Sequence, residues 1–187
     1  MSPLTILLAV IALIAVAVIV FYNRFVRLVN QAKEAWSDIE VQLKRRYDLI
    51  PNLINTVKGY ASHEQVAFEK VTEARARAMS AGETATKEHA EAENMLTGAL
   101  KSVFAIAEAY PDLKANTNFI ELQRELSDTE NKIQSSRRFY NSTVRDLNIA
   151  VESFPANVIA KSFGFAKMEL FDLPENDEAQ KVPEVKF

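Results

Sequence analysis

Residues 117–154 read TNFIELQRELSDTENKIQSSRRFYNSTVRDLNIAVESF. Within them Phe119, Leu126, Ile133, Tyr140, Leu147 and Phe154 recur every seven residues, and Leu122, Thr129, Ser136, Thr143 and Ala150 fill the interleaved places. This is a coiled-coil-like seam, the mark of a helix packed along its whole length. Neither Gly nor Pro interrupts it, so one long helix is expected, with Leu126, Ile133 and Leu147 in the core. The small hydroxyl residues on the second row suit close helix approach within a protein better than a free two-stranded coil.

Upstream, Phe25, Val29, Ala32, Trp36, Ile39, Leu43, Ile50, Leu53, Val57 and Tyr60 step by threes and fours with one step skipped, which predicts an amphipathic helix. Pro51 lies inside this stripe and removes the donor to the Tyr47 carbonyl; because the spacing persists across it, a kink is expected and not an end. A second helix is expected from about Ala61 to Met79, closed by Ser80-Ala81-Gly82. A third is expected from about Thr84 to Tyr110 on Leu96, Ala99, Val103 and Ile106, ended by Pro111. A short helix over Asn157 to Phe163 precedes Gly164. The expected class is therefore all-α, an up-and-down four-helix bundle over 24–171, followed by a flexible acidic tail over 172–187.

From Pro3 to Tyr22 the chain carries no charge and is mostly Leu, Ile, Val and Ala. About 20 such residues cross the hydrocarbon of a bilayer. Only Met1 and Ser2 precede the run and no small-x-small pair follows it, so residues 1–23 are expected to remain as an anchor and not to be cleaved as a signal. With no break before Arg24, the span should continue into the domain as one rod. Arg24, Arg27 and Lys33 follow the span while none of their kind precedes it, which predicts an outer N-terminus and a cytoplasmic domain; a domain on the other side is the alternative. Phe21, Tyr22 and Phe25 suit the aromatic belt of that interface.

Composition removes several function classes. With 22 Lys and Arg against 25 Asp and Glu, no basic field exists to hold a nucleic acid. Without cysteine there is no disulfide, thiol nucleophile or thiolate metal site. A di-metal carboxylate bundle needs Glu-x-x-His, yet Tyr60 and Thr86 stand three before His63 and His89. His63-Glu64 approaches H-E-x-x-H, but Ala67 replaces the second histidine, so both histidines are expected on solvated helix surface. The four glycines are too scattered to cradle a phosphate, and no cofactor is expected.

Two polar clusters are denser than plain packing requires. The first holds Arg46, Tyr47 and Asp48, with Asn52 beyond the proline, and Arg46 occupies a place on the apolar stripe. The second holds Glu130 with Arg137, Tyr140 and Asn141. If the two long helices are neighbours, Arg46 should pair with Glu130. Such a pair either fixes helix register or forms a ligand- or partner-binding site.

Three stretches resemble the LemA family: EAWSDI from Glu34 running into QLKRRYDLIPNL from Gln42; AEAYPDLKAN from Ala107; and Leu126 through Thr129-Glu130-Asn131 to Arg137-Arg138-Phe139-Tyr140-Asn141. The likeness covers nearly the whole chain after the anchor, including Phe154-Pro155 and Phe163-Gly164-Phe165. It implies a single-pass bacterial membrane protein with a cytoplasmic four-helix bundle, and it implies no reaction. Related sequences among magnetosome-associated proteins, and beside genes for membrane metalloproteases, associate the family with membrane organisation and envelope quality control. The expected function is a non-enzymatic scaffold or adaptor whose partners are the bilayer, other membrane proteins such as a metalloprotease, or further copies of the chain. The alternatives are a tethered sensor of a small ligand or metal, and a hydrolase or protease partner with an unmarked site.

Overall fold

The structure, a computed structural model, describes residues 2–82 and 84–171; the acidic tail expected over 172–187 lies outside them. The described residues are all-α, with six helices: α1 Pro3–Lys58, α2 Gln65–Ser80, α3 Lys87–Ala107, α4 Pro111–Lys114, α5 Thr117–Glu152 and α6 Ala156–Phe163. At 1.5 Å per residue the 56 residues of α1 measure about 84 Å, so span and domain share one rod. It is the one helix among the described residues long and apolar enough to cross a membrane, and the best such window of it has no buried residue. Length, composition and exposure together make it a membrane anchor.

α1 runs on through Pro51 because the orphaned Tyr47 carbonyl finds another donor: Arg75 Nε reaches it from α2 at 2.9 Å. Side-chain caps mark the starts of α3 and α5, with Thr86 accepting from His89 N at 3.1 Å and Asn116 from Phe119 N at 3.0 Å. Gly164 ends α6 at φ 76°, a left-handed conformation that glycine adopts without a Cβ penalty, and the chain turns back from there.

α1 and α5 lie side by side, and α2 packs on α3. Far from the anchor, Ile50 and Leu53, Phe68 and Val71, Leu96 and Val103, and Phe119 and Leu126 bring α1, α2, α3 and α5 into one apolar core. Midway, Trp36, Ile39 and Leu43 meet Ile133, Tyr140 and Val144. Nearest the anchor, Phe25 packs with Leu147, Ala150, Ala156 and Ala160. Leu126, Ile133 and Leu147 are all buried, as their seven-residue spacing predicts. The seam hydroxyls are satisfied inside α5, since Thr129 Oγ1 donates to Glu125 O at 2.7 Å and Thr143 Oγ1 to Phe139 O at 3.0 Å.

Three expectations need correction. Phe154 leaves the seam and is 83% exposed, because α5 ends at Glu152 and the Ser153–Pro155 turn carries the ring outward. The buried stripe of α3 is Leu96, Leu100, Val103 and Ala107, while Ala99 and Ile106 are only half-buried. α2 starts at Gln65, not Ala61, since Gly59 closes α1 and a turn intervenes.

Candidate functional site

Ile39, Leu43, Arg46 and Ile50 step by four, three and four along the buried face of α1, so Arg46 is carried inward by its neighbours and is 1% exposed. A guanidinium there requires carboxylates. Its Nη1 donates to Glu130 Oε2 of α5 at 2.6 Å and to Thr97 Oγ1 of α3 at 3.0 Å. Its Nη2 meets Glu93 Oε2 of α3. Tyr47 OH donates to the other oxygen of Glu93, and Thr97 Oγ1 donates back to the Glu93 carbonyl at 3.1 Å. One arginine thus ties α1 to α3 and α5.

The Arg46–Glu130 pair forms as its sequence positions suggest, but the partner wholly enclosed with the arginine is Glu93, 1% exposed, whereas the Glu130 side chain is 27% exposed at the groove edge. Burial lowers the Arg46 pKa, opposed by the charge and hydrogen bond of Glu130. Burial raises that of Tyr47, opposed by Arg46 and Arg75. Asp48 and Asn52 take no part in the network: each lies about 200° round the helix from a buried residue, Arg46 or Ile50, and both are exposed.

The second cluster does something else. Beyond Gly164 the chain runs as an extended strap over 165–171, gripped by two asparagines one heptad apart on α5. Asn148 accepts from Met168 N at 2.9 Å and donates to Met168 O at 3.0 Å; Asn141 accepts from Phe171 N at 2.8 Å and donates to Phe171 O at 3.1 Å. Each amide makes both backbone bonds a neighbouring β-strand would make. Tyr140 OH donates to Glu169 O at 3.0 Å, and burial pushes its pKa up to about 12, with the Glu169 charge adding to the shift. Phe171, the last described residue, is buried edge-on against Trp36 at 5.0 Å and His89 at 5.4 Å, with the Arg137 guanidinium 4.8 Å from its ring centre. Arg137 Nη1 also donates to Asn94 Oδ1 at 3.3 Å.

His89 joins the clusters, and its expected place on solvated surface is wrong. It is buried, and its Nε2 lies 3.6 Å from Glu93 Oε1, one turn away on α3. Stepping back from Leu100 and Leu96 by fours and threes lands on Glu93 and His89, so the stripe itself carried the signal. Burial holds the imidazole below its ordinary 6.5, and Arg137 and Arg46 push the same way against the Thr84 carbonyl and Glu40. The unfolded chain therefore takes up this proton first, and stability present above about pH 6.5 should fall as pH drops through that value towards the lower folded one. His89→Gln should flatten that part of a plot of unfolding temperature against pH. An unchanged slope would assign it to other groups.

Chemically the site can hold charge and hydrogen bonds in place. Beside Glu130 lies an open groove of about 470 Å³, lined among others by Asn94, Thr97, Lys101, Arg137 and Asn141. Among the described residues, no group of three or more His, Asp or Glu side chains is disposed to hold a metal ion.

The sequence pattern of the LemA family matches residues 35–187. Magnetosome protein MamQ of Magnetospirillum gryphiswaldense is 26% identical over 213 residues, covering 98% of this chain and 78% of the relative. Protein LemA of Metamycoplasma hominis is 26% identical over 155 residues, covering 82% of this chain and 69% of the relative. Neither name carries an enzymatic activity. A match extending from before Trp36 through Arg46, Glu93, Glu130 and the strap embraces every part of the site, and the chain belongs to the LemA family.

Proposed function

We propose that this protein is a non-catalytic scaffold or adaptor of the bacterial inner membrane, with its N-terminus outside and its helical domain in the cytoplasm. The carrying observation is the unbroken α1, which mounts the domain on its anchor without a flexible linker. An enzyme tethered only for location could tolerate a loose joint; a part that holds partners at a set distance from the bilayer could not. The buried charges of Arg46 and Glu93 engage each other and Arg46 also engages Glu130, which supports a framework role. The proposed partners are other membrane proteins, a membrane metalloprotease among them, and further copies of the chain. Membrane organisation is the process in best accord with relatives named as magnetosome proteins.

Proximity labelling from a fusion to the full chain should recover a reproducible set of membrane proteins that a fusion to residues 1–27 does not. Identical sets from the two fusions would remove the scaffold reading. Sidedness has its own check, since Arg24, Arg27 and Lys33 flank the span. A cysteine placed at exposed Ser80 should resist a membrane-impermeant thiol reagent in intact cells, and ready labelling there would reverse the orientation.

One observation favours a second reading, a sensor of a small polar ligand: the groove opens directly onto Glu130, the exposed member of the Arg46 network. A metal is the weaker form of it, given the lack of a ligand cluster among the described residues. A ligand that raises the unfolding temperature of the intact protein, but not of Glu130→Gln, would favour it.

A further inference from the structure

The apolar run of α1 ends at Tyr22, and that level of the rod is not bare. Phe163 of α6 packs edge-on against Tyr22 at 5.0 Å, and Phe165 lies 5.6 Å from Tyr22 and stacks on Phe25 at 5.0 Å. Val18, inside the run, is half-buried while Ile14, Ile19 and Val20 stay exposed, so the domain reaches the last turns of the anchor. α6 turns Ala156 and Ala160 towards the core formed with Phe25, Leu147 and Ala150. Its outer side, with the turn before it, presents Phe154, Val158 and Phe163, which are 83%, 56% and 53% exposed. Lys161 is exposed on the same helix, as are Arg24 and Arg27 on α1. Large apolar side chains left in water beside cations, at the height where a span leaves the hydrocarbon, have the chemistry of a segment lying in the headgroup region.

We infer that α6 and its preceding turn rest on the bilayer surface beside the exit of α1, with Phe154, Val158 and Phe163 at the boundary between headgroups and acyl chains, giving the domain a second foot on the membrane. The inference rests on α1 spanning the bilayer and is independent of which side the domain occupies. The lipid surface is the occupant because the position of the patch is set by the anchor itself: Phe163 touches the residue at which the span ends. The cations beside it favour anionic headgroups, whose surface potential attracts Lys and Arg near the membrane.

The chain has no cysteine, so single-site labelling is clean. The full-length protein, carrying a nitroxide on Phe154→Cys, Val158→Cys or the control Val66→Cys, is reconstituted in vesicles of phosphatidylcholine and phosphatidylglycerol. Val66 is exposed at the opposite end of the domain, beyond about 54 Å of α1 counted from Tyr22 to Lys58. Labels at 154 and 158 should collide several-fold more often with oxygen than with a water-soluble nickel chelate, relative to the label at 66. Protein that fails to float with the vesicles would overturn the spanning reading and this inference with it. Protein that floats while labels at 154 and 158 meet the chelate as freely as the control would overturn the inference alone. Shielding that appears only at high protein density would give the patch to a second copy of the chain and overturn it equally.

Discussion

Replacing Glu93 by alanine is expected to cost about 3–5 kcal/mol of unfolding free energy, the usual consequence of removing one member of a buried ion pair. Arg46 is 1% exposed, so its guanidinium has almost no contact with water in the folded protein. Glu130 would remain, but one partly exposed carboxylate would then balance a guanidinium whose burial already lowers its pKa. Tyr47 would lose the acceptor for its hydroxyl as well. Changing both partners, Arg46→Met with Glu93→Leu, should recover much of the loss, because no fully buried charge is stranded and Glu130, 27% exposed, can turn to the water of the groove. Denaturant unfolding of the full chain in micelles, followed by far-ultraviolet dichroism, gives both values. A cost below about 1 kcal/mol for Glu93→Ala would mean that the arginine finds water or another partner.

Phe171→Ala is the second large effect, about 3–5 kcal/mol by the precedent of buried phenylalanines, with a ceiling set by the docking energy of the strap. The ring is fully enclosed among Trp36, His89 and Arg137, and its backbone is held by Asn141. Among the described residues nothing after Gly164 belongs to a helix, so the strap can detach while α1 and α5 stay paired. Hydrogen exchange should therefore show protection lost at Met168 and Phe171, with the centre of α5 unchanged. Loss of protection throughout the domain would make the strap part of the core and not an attachment to it.

These two sites divide what was legible in the sequence from what was not. The strict recurrence of Leu126, Ile133, Tyr140 and Leu147 predicted α5 and its buried face, because periodicity is local and survives any arrangement of partners. Arg46 was legible as an intruder on an apolar stripe, and Glu130 as a carboxylate on the other long helix. Glu93 falls outside a stripe drawn through Ala99 and Ile106, whereas one drawn through Leu100 and Ala107 reaches it by the same steps. The strap was not legible at all. Ala166 to Leu170 alternates apolar and polar residues, but the residues that dock, Phe165, Met168 and Phe171, do not follow that alternation, and the docking depends on Asn141 and Asn148 side chains whose backbone partners lie tens of residues away. Phe154 kept the period but not the fold, since Pro155 and the turn before α6 took the chain away from the seam.

The proline that fails to break α1 has a mechanical consequence. Because Arg75 takes up the carbonyl that Pro51 frees, the rod is braced where it would otherwise hinge, and it acts as a lever whose fulcrum is the bilayer. A 10° change in anchor tilt, well within the range that spanning helices adopt as bilayer thickness varies, would swing the Lys58 end by about 9 Å relative to Tyr22. Thickness, which varies by only a few ångströms between membranes, would be magnified into a sideways stroke as wide as a helix, felt by whatever is attached at the distal tip.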